Sequence, residues 1–201
     1  MSPRRANPEL AAKRREALIR AGYAQILEAG IQATTIDSVV ERAGSSKGGA
    51  LYYFRTKEDL LYGVFEWLLA QLDRTLDEVT SSPQSPRARL AAEIEVLFHS
   101  EKLNRQLYVV FFDFVALSLR EERFRRLLAA FLERCRNRDT AIIKEGIEQH
   151  EFRPVKPDDA AHTLRGLVDG YCLQWMLDDP ATGLETYRDR CRAVLGAYLL
   201  R

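Results

Sequence analysis

Several hydroxyl and ammonium side chains lie in one short stretch near the start of this 201-residue sequence. Hydroxyl and ammonium groups donate hydrogen bonds to anionic oxygens such as those of a phosphate. Such groups could bind a polyanion if the local structure turned them to one side. The donor side chains are those of Thr34, Thr35, Ser46, Lys47, Tyr52, Tyr53 and Lys57.

The distribution of charge agrees with a polyanionic partner. The sequence as a whole has a formal net charge of +1. Residues 1–56 contain nine lysines and arginines, Arg4 and Arg5 among them, but only five acidic residues, which gives this segment a net charge of +4. The rest of the chain has a net charge of −3. A basic segment on a mildly acidic body predicts that only the first segment meets the polyanion.

Residues suited to catalysis or metal binding are sparse. The three histidines and three cysteines are scattered and show neither metal-ligand spacing nor a nucleophile beside a base. No Ser/His/Asp order, His-x-x-x-His motif or Gly-rich phosphate loop stands out. We therefore predict no catalytic residue, no bound metal and no cofactor. This disfavours a helical small-molecule enzyme, and the intact donor stretch disfavours a helical ligand carrier with a vestigial binding head.

Cysteine usage and hydropathy predict a cytoplasmic protein. An odd number of widely spaced cysteines does not fit a disulfide framework. No apolar run approaches the roughly 20 residues that a membrane helix needs. The basic start at residues 1–5 is not followed by an apolar segment, so no signal peptide is expected.

Proline spacing and apolar periodicity predict an all-α chain of about nine helices. Prolines cluster at 83–86, at 154–157 and at 180, and they leave room for long helices between them. The first helix is expected over about 8–29, with Gly30 as its stop. The fourth helix is expected to begin at the cap formed by Thr56. The later helices are expected at about 87–101, 103–119, 122–150, 158–178 and 184–200.

Two short helices joined at Gly44 predict a helix-turn-helix unit packed on the first helix. Thr34 with Asp37 has the pattern of a capping box, and the free amides and threonine hydroxyls at this helix start suit a phosphate. The second short helix, about residues 46–53, carries small residues, one lysine and two tyrosines. A narrow, exposed helix of this kind suits the major groove of DNA. Lys57 follows closely and can reach a phosphate at the flank.

The stretch that contains this unit matches a known pattern. It combines a threonine pair, an Ala-Gly turn, Ser-Lys-Gly, an aromatic-Phe pair and Lys-acid-acid-Leu between Ala33 and Leu60. In these features the sequence closely resembles the DNA-binding domain of the tetracycline-repressor (TetR) family of bacterial regulators. The resemblance implies a helix-turn-helix DNA-binding domain over residues 1–56. It also implies phosphate contacts by Thr35, Tyr52, Tyr53 and Lys57, with Ser46, Lys47, Gly48 and Gly49 at or near the bases.

Three positions depart from the family pattern. Ser45 stands where a valine usually fills the turn, and Ala50 where a larger apolar residue is common. Tyr53 replaces a common histidine before Phe54, but a tyrosine hydroxyl can still donate to a phosphate. The adjacent Gly48 and Gly49 each cost a helix roughly 1 kcal/mol relative to alanine.

The family resemblance implies that residues 57–201 form a helical ligand-binding and dimerisation domain. The segment 151–180 looks like the corresponding part of the branch that includes the choline-responsive betaine-synthesis repressor, a looser likeness that does not identify the ligand. The implied partners are a double-stranded DNA operator, an unidentified small-molecule effector and a second copy of the chain. The DNA-binding domains of two protomers, placed one turn of the DNA helix apart, would match a palindromic operator.

Apolar stripes predict how the last two helices are used. One stripe joins Leu164, Val168, Tyr171 and Trp175, and the other joins Cys191, Val194, Leu195 and Tyr198. Paired with a two-fold copy, the stripes would form a four-helix dimer interface. The alternative is that they belong to the core of one protomer.

The helix at 103–119 is apolar nearly all round, which predicts burial and an aromatic wall for a cavity. A carboxylate in such a wall could bind a cation, but it could equally cap, pair with an arginine or face outwards. Arg165 and Asp169, four residues apart, could be ligand groups, but an ion pair along the helix is favoured. The candidate ligand-binding residues are Tyr108, Phe111, Phe112, Asp113, Tyr171 and Trp175.

Overall fold

The structure, a computed structural model, describes residues 8–200. Residues 1–7 and 201 lie outside the described part, and with them Arg4, Arg5 and the basic start that bears on a signal peptide. Residues 8–200 form nine helices and no strand, which confirms the all-α prediction over that range. Within the same range, no helix combines the length and apolar character needed to cross a bilayer. The helices are α1 (Pro8–Ala33), α2 (Ile36–Arg42), α3 (Lys47–Tyr53), α4 (Lys57–Thr80), α5 (Pro86–Leu97), α6 (Glu101–Ser118), α7 (Glu122–Glu148), α8 (Pro157–Leu177) and α9 (Leu184–Leu199).

The first helix is broken where the sequence predicts its end. Gly30 has φ 77° and ψ 165°, values outside the helical range that favour glycine. Residues 31–33 then make one further helical turn before the chain enters α2. Gly44 also has a positive φ, 58°, at the turn between α2 and α3.

Two local predictions are wrong. The capping box of α2 is formed by Thr35 and Ser38, not by Thr34 and Asp37, because Thr34 is buried and its hydroxyl is used elsewhere. Helix α5 ends at Leu97 rather than near residue 101, because Ser100 is already the N-cap of α6.

Aromatic stacking and ion pairs hold the long helices of the body together. The rings of Phe65 in α4 and Phe114 in α6 stack with their centroids 4.4 Å apart, and Phe124 in α7 lies 6.4 Å from Phe65. All three are buried, so they contribute both apolar burial and ring-stacking energy. At the edge of this core, Arg138 of α7 pairs with Asp73 of α4 at 2.7 Å.

The apolar stripes on the last two helices face the core of the protomer. Leu164, Val168 and Cys191 are buried, since α8 packs against α7 and α9 packs against α8 and α5. The residues expected at a dimer interface are therefore mostly internal, apart from Val194. A different face of α8 leaves Leu173 and Leu177 exposed.

Candidate nucleic-acid interface and internal cavity

The N-terminus of α2 is capped by the hydroxyl groups of Thr35 and Ser38. Thr35 accepts a hydrogen bond from the amide of Ser38 at 3.0 Å, and Ser38 accepts one from the amide of Thr35 at 3.0 Å. Thr35 is exposed, so its hydroxyl can also donate outwards. Thr34 is fully buried and donates to the carbonyl of Gly30 at 2.9 Å. The prediction that the Thr34 hydroxyl contacts a phosphate is therefore wrong.

The first turn of α3 presents its residues to solvent. Ser46 caps the helix by accepting from the amide of Gly49 at 3.1 Å, and Ser46, Lys47 and Gly48 are all exposed. The ammonium of Lys47 pairs with Asp37 of α2 at 2.8 Å. A Cβ at Gly48 would meet no atom within 4 Å, so nothing in the described protein requires glycine there. This open surface leaves room for a partner to approach the backbone.

Tyr52, Tyr53 and Lys57 follow along the same edge. The Tyr52 side chain is 75% exposed, and its ring meets that of the half-buried Tyr53 edge-on with centroids 5.0 Å apart. The ammonium of Lys57 donates to the carbonyl of Gln32 at 2.9 Å, which places a cation beside the start of α2. Hydroxyl and ammonium donors are thus close to two helix N-termini, where the helix dipole also favours an anion.

A cavity of about 60 Å³ lies in the body, between α4, α5, α6, α7 and α8. Several water-sized groups fit in such a volume. Most of its wall is aliphatic or aromatic, and a polar side is formed by Asn104, Arg165 and Asp169. Apolar walls with a few polar groups are typical of small-molecule sites.

Tyr108 and Phe111 of α6 line this cavity, whereas Phe112, Asp113, Tyr171 and Trp175 are not among its lining residues. The other four sequence candidates have different surroundings within residues 8–200. Phe112 packs beside Tyr108, Tyr171 packs beside Tyr187, and the buried Trp175 lies under the guanidinium of Arg105. Asp113 accepts a hydrogen bond from the amide of Ile31 at 3.2 Å. Among the roles left open for Asp113, the structure shows a hydrogen bond to a backbone amide and no place on the wall of this cavity.

Behind the cavity wall, Arg165 faces two deeply buried acids. Its Nε lies 3.6 Å from Asp139 and its Nη2 lies 3.9 Å from Glu93, and neither carboxyl is exposed to solvent. The favoured ion pair between Arg165 and Asp169 is not formed within the described residues, because the guanidinium turns towards the two buried acids. Burial, and next the charge of Glu93, raise the pKa of Asp139 to about 9, so this carboxyl holds a proton at neutral pH.

The three cysteines are packing residues. All are buried and unpaired, and burial raises the pKa of Cys172 to about 12 and that of Cys191 to about 11. The thiolate is the reactive form of cysteine, so burial disfavours the reactive form of all three thiols.

Comparison with known proteins agrees with this arrangement. The family of bacterial regulatory proteins called tetR matches residues 18–63, and the family described as "BetI-type transcriptional repressor, C-terminal" matches residues 86–200. The chain belongs to the TetR family. It is similar to the transcriptional regulator BetI of Burkholderia thailandensis, with 30% identity over 82% of each chain. It is also similar to BetI of Agrobacterium fabrum, with 29% identity over 85% of this chain and 81% of the relative.

A solved structure shares the fold of this TetR-family chain. A transcriptional regulator from Saccharomonospora viridis, solved in complex with choline, superposes with a TM-score of 0.87. The match covers 94% of this chain and 99% of the other, at 18% identity. As a TetR-family member with a BetI-type C-terminal domain, the protein is a DNA-binding transcriptional regulator and not an enzyme.

Sequence reasoning missed several residues at both sites of this regulator. Ser38 completes the cap of α2, but serine is an uncommon partner in that motif, which usually has Glu or Gln. Asn104, Leu72 and Phe131 line the cavity from three different helices. Their convergence depends on how the helices pack, and no local pattern in the sequence marks it.

The protonated state of Asp139 predicts how the stability of this regulator depends on pH. The unfolded chain releases this proton near pH 3.9, whereas the folded protein keeps it up to about pH 9. Between these values the folded state binds the extra proton, so the free energy of unfolding falls as pH rises. As pH rises from 5.5 to 8.5, we expect the free energy of unfolding of wild type to fall relative to that of Asp139→Asn. The relative decrease is at most about 1.4 kcal/mol per pH unit. Denaturant unfolding at several pH values measures this difference.

The exposed Asp189, replaced by Asn, is the control for Asp139→Asn. Its unfolding curve should keep a constant offset from wild type across the same pH range. Parallel curves for wild type and Asp139→Asn would contradict a proton on the buried carboxyl.

Proposed function

We propose that this regulator binds a palindromic operator as a homodimer, with residues 1–56 as the DNA-binding domain and residues 57–201 as the effector-binding and dimerisation domain. The main support is the exposed first turn of α3 beside the donors at the starts of α2 and α4. In this proposal α3 enters the major groove. The phosphate contacts are Thr35, Tyr52, Tyr53 and Lys57, and the residues at the bases are Ser46, Lys47, Gly48 and Gly49. Binding to a bacterial operator would place the protein in the cytoplasm.

The dimer interface is proposed on the exposed face of α8 and α9. Leu173 and Leu177, four residues apart on α8, are 45% and 79% exposed, and Val194 on α9 is 41% exposed. Added Cβ atoms at Gly166 and Gly170 would meet nothing within 4 Å, so a second helix can approach α8 closely there. Exposed apolar residues on adjacent helices are typical of a protein–protein interface, and a two-fold axis would pair the face with itself.

The proposed effector is a small organic cation. Asp169 lines the cavity, is half-buried, and forms no side-chain hydrogen bond or ion pair within residues 8–200. The guanidinium of Arg165 turns towards the buried acids behind it and forms no ion pair with Asp169, which leaves the Asp169 carboxyl free to pair with a cationic ligand. The rings of Tyr108 and Phe111 on the wall suit a cation as well. The choline-bound structure from Saccharomonospora viridis supports the same class of ligand.

We expect Asp169→Asn to weaken the binding of choline about tenfold or more, because a charge-assisted contact away from water is lost. Isothermal titration with choline and with its uncharged carbon analogue 3,3-dimethylbutan-1-ol measures the effect. The exposed Asp159 of the same helix, replaced by Asn, is the matched control and should bind choline as wild type does. Equal affinity for the two compounds would rule out a cation as the effector of this cavity.

Selection of bound duplexes from a random DNA pool, followed by sequencing, tests the function as a whole. The proposal predicts a palindrome whose half-sites lie about one helical turn apart, or a multiple of it. A single, unpaired half-site would contradict the dimeric arrangement. Failure to enrich any motif with folded protein at low salt would contradict the assigned DNA surface.

A further inference from the structure

The break in α1 leaves a short segment, residues 30–34, that connects the first helix to the start of α2. This segment leads directly into Thr35, the N-cap of α2. The positive φ at Gly30 turns the chain there, and the first amides of the turn that follows have no carbonyl partner within it. The direction in which α2 and α3 project from the body therefore depends on what holds this segment as well as on their packing against α1.

Two side chains from other helices form hydrogen bonds with the backbone of this segment. Lys57 of α4, at the edge of the DNA-binding unit, donates to the carbonyl of Gln32 at 2.9 Å. Asp113 of α6 accepts from the amide of Ile31 at 3.2 Å, across 82 positions of sequence. The second contact is made by the body of the protein, and it is partly buried, which strengthens a bond to a charged acceptor.

Helix α6 also forms part of the cavity wall. Asn104, Tyr108 and Phe111 line the cavity, and Asp113 follows Phe111 by two residues. An added Cβ at Gly30 would lie 3.7 Å from the Asp113 carboxylate, so the two helices are already in close contact at the break. The same rigid helix thus borders both the cavity and the segment that carries the DNA-binding unit.

We infer that Asp113 is a positioning residue for operator binding: by holding the amide of Ile31, it fixes the orientation of α2 and α3 relative to the body. In a dimer this contact sets the spacing of half-sites that the two heads can reach together. The inference rests on the proposed dimeric DNA binding, but it does not depend on the nature of the effector. Residues within the DNA-binding unit set the affinity for one half-site. Asp113 sets how well the two units of a dimer fit the spacing of two half-sites.

The chain offers a matched control on the same helix. Glu101, at the start of α6, accepts a hydrogen bond from the amide of Leu184 in α9 at 2.9 Å. This is the same kind of bond, from a carboxylate of α6 to a distant backbone amide, but it lies wholly within the body. Glu101→Ala therefore measures the effect of losing such a hydrogen bond within the body. Asp113→Ala measures the same effect together with any change in the orientation of the DNA-binding unit. Asp113→Asn keeps an oxygen that can accept from Ile31.

The experiment compares the affinity of each variant for the selected operator, for the same operator with one base pair inserted between the half-sites, and for a single half-site. We expect wild type to prefer the original spacing, and Asp113→Ala to lose about tenfold of that preference. Its affinity for a single half-site should stay within about twofold of wild type. Glu101→Ala should keep the full preference, and Asp113→Asn should recover most of it.

Unchanged discrimination between the two spacings in Asp113→Ala would overturn the inference, as would an equal loss in Glu101→Ala. Hydrogen exchange of the free protein gives a readout that does not require DNA. Exchange at residues 31–34 should accelerate in Asp113→Ala and not in Glu101→Ala, and unchanged exchange would overturn the inference even if no operator were selected. Failure of wild type to enrich any operator would instead contradict the proposed function.

Discussion

Replacing Arg165 with leucine is expected to destabilise the protein by about 3–5 kcal/mol, because removing one partner leaves the charge of the buried Glu93 without a counter-charge. The Arg165 side chain is 8% exposed, and Glu93 and Asp139 beside it are fully buried. Leucine fills much of the volume but supplies no charge. Denaturant unfolding at pH 7.5 and fixed protein concentration, followed by tryptophan fluorescence, measures the loss.

Two further variants identify the cause of the stability loss expected for Arg165→Leu. Adding Glu93→Gln to Arg165→Leu removes the unpaired charge beside the protonated Asp139 and should restore part of the stability. Arg126→Leu, at a side chain that is 76% exposed, should change stability by less than about 0.5 kcal/mol. A loss below about 1 kcal/mol for Arg165→Leu would show that the buried acids tolerate the absence of a cation.

Lys57→Ala is expected to lower operator affinity about tenfold for each head, and so about a hundredfold for the dimer, as a charged phosphate contact is lost. Phosphate contacts carry no sequence information, so the loss should be the same on the operator and on unrelated DNA. The salt dependence of binding should also weaken, by about one unit of the log–log slope for each head. Fluorescence anisotropy over a range of salt concentrations measures both quantities.

Lys57 also donates a hydrogen bond to the carbonyl of Gln32. A further variant must therefore distinguish the effect of losing its charge from the effect of losing this hydrogen bond. Lys57→Arg keeps the charge and a donor and should recover most of the affinity. The exposed Lys144 on α7, replaced by alanine, should have no effect, since α7 packs against the body helices α5, α6 and α8 and against α4. A change of sequence preference in Lys57→Ala, rather than a uniform loss, would contradict the phosphate assignment.

The helices could be predicted from the sequence because local signals mark them. The proline clusters separate α4 from α5 and α7 from α8, and Thr56 caps α4 as its pattern indicates. Where two local signals compete, the sequence alone does not decide between them. Thr34 and Thr35 are both suitable caps, and the outcome depends on Gly30, whose turn buries Thr34 and leaves Thr35 at the helix start.

The DNA-binding unit was also accessible from the sequence, because its residues are close together along the chain and match a family pattern. The cavity was not, because its walls come from five helices and depend on their rotation. An apolar pattern all round α6 predicts burial but does not tell Phe111, which faces the cavity, from Phe112, which does not. Asp113 and Arg165 find partners that are far away in sequence, and local spacing gives no sign of these.

The pairing of Lys47 with Asp37 has a consequence for how the protein searches a genome. While the two are paired, the reading surface of α3 is close to neutral and adds little to the attraction for random DNA, which is mainly electrostatic. An exposed pair of this kind is worth only about 0.2–1 kcal/mol, so a good base contact of about 1–3 kcal/mol can displace it. If Lys47 contacts a base as proposed, we expect a matching sequence to release the lysine from Asp37 more completely than random DNA does. Such a difference would shorten the dwell time on wrong sites relative to the correct one, which is what a search among many competing sites requires.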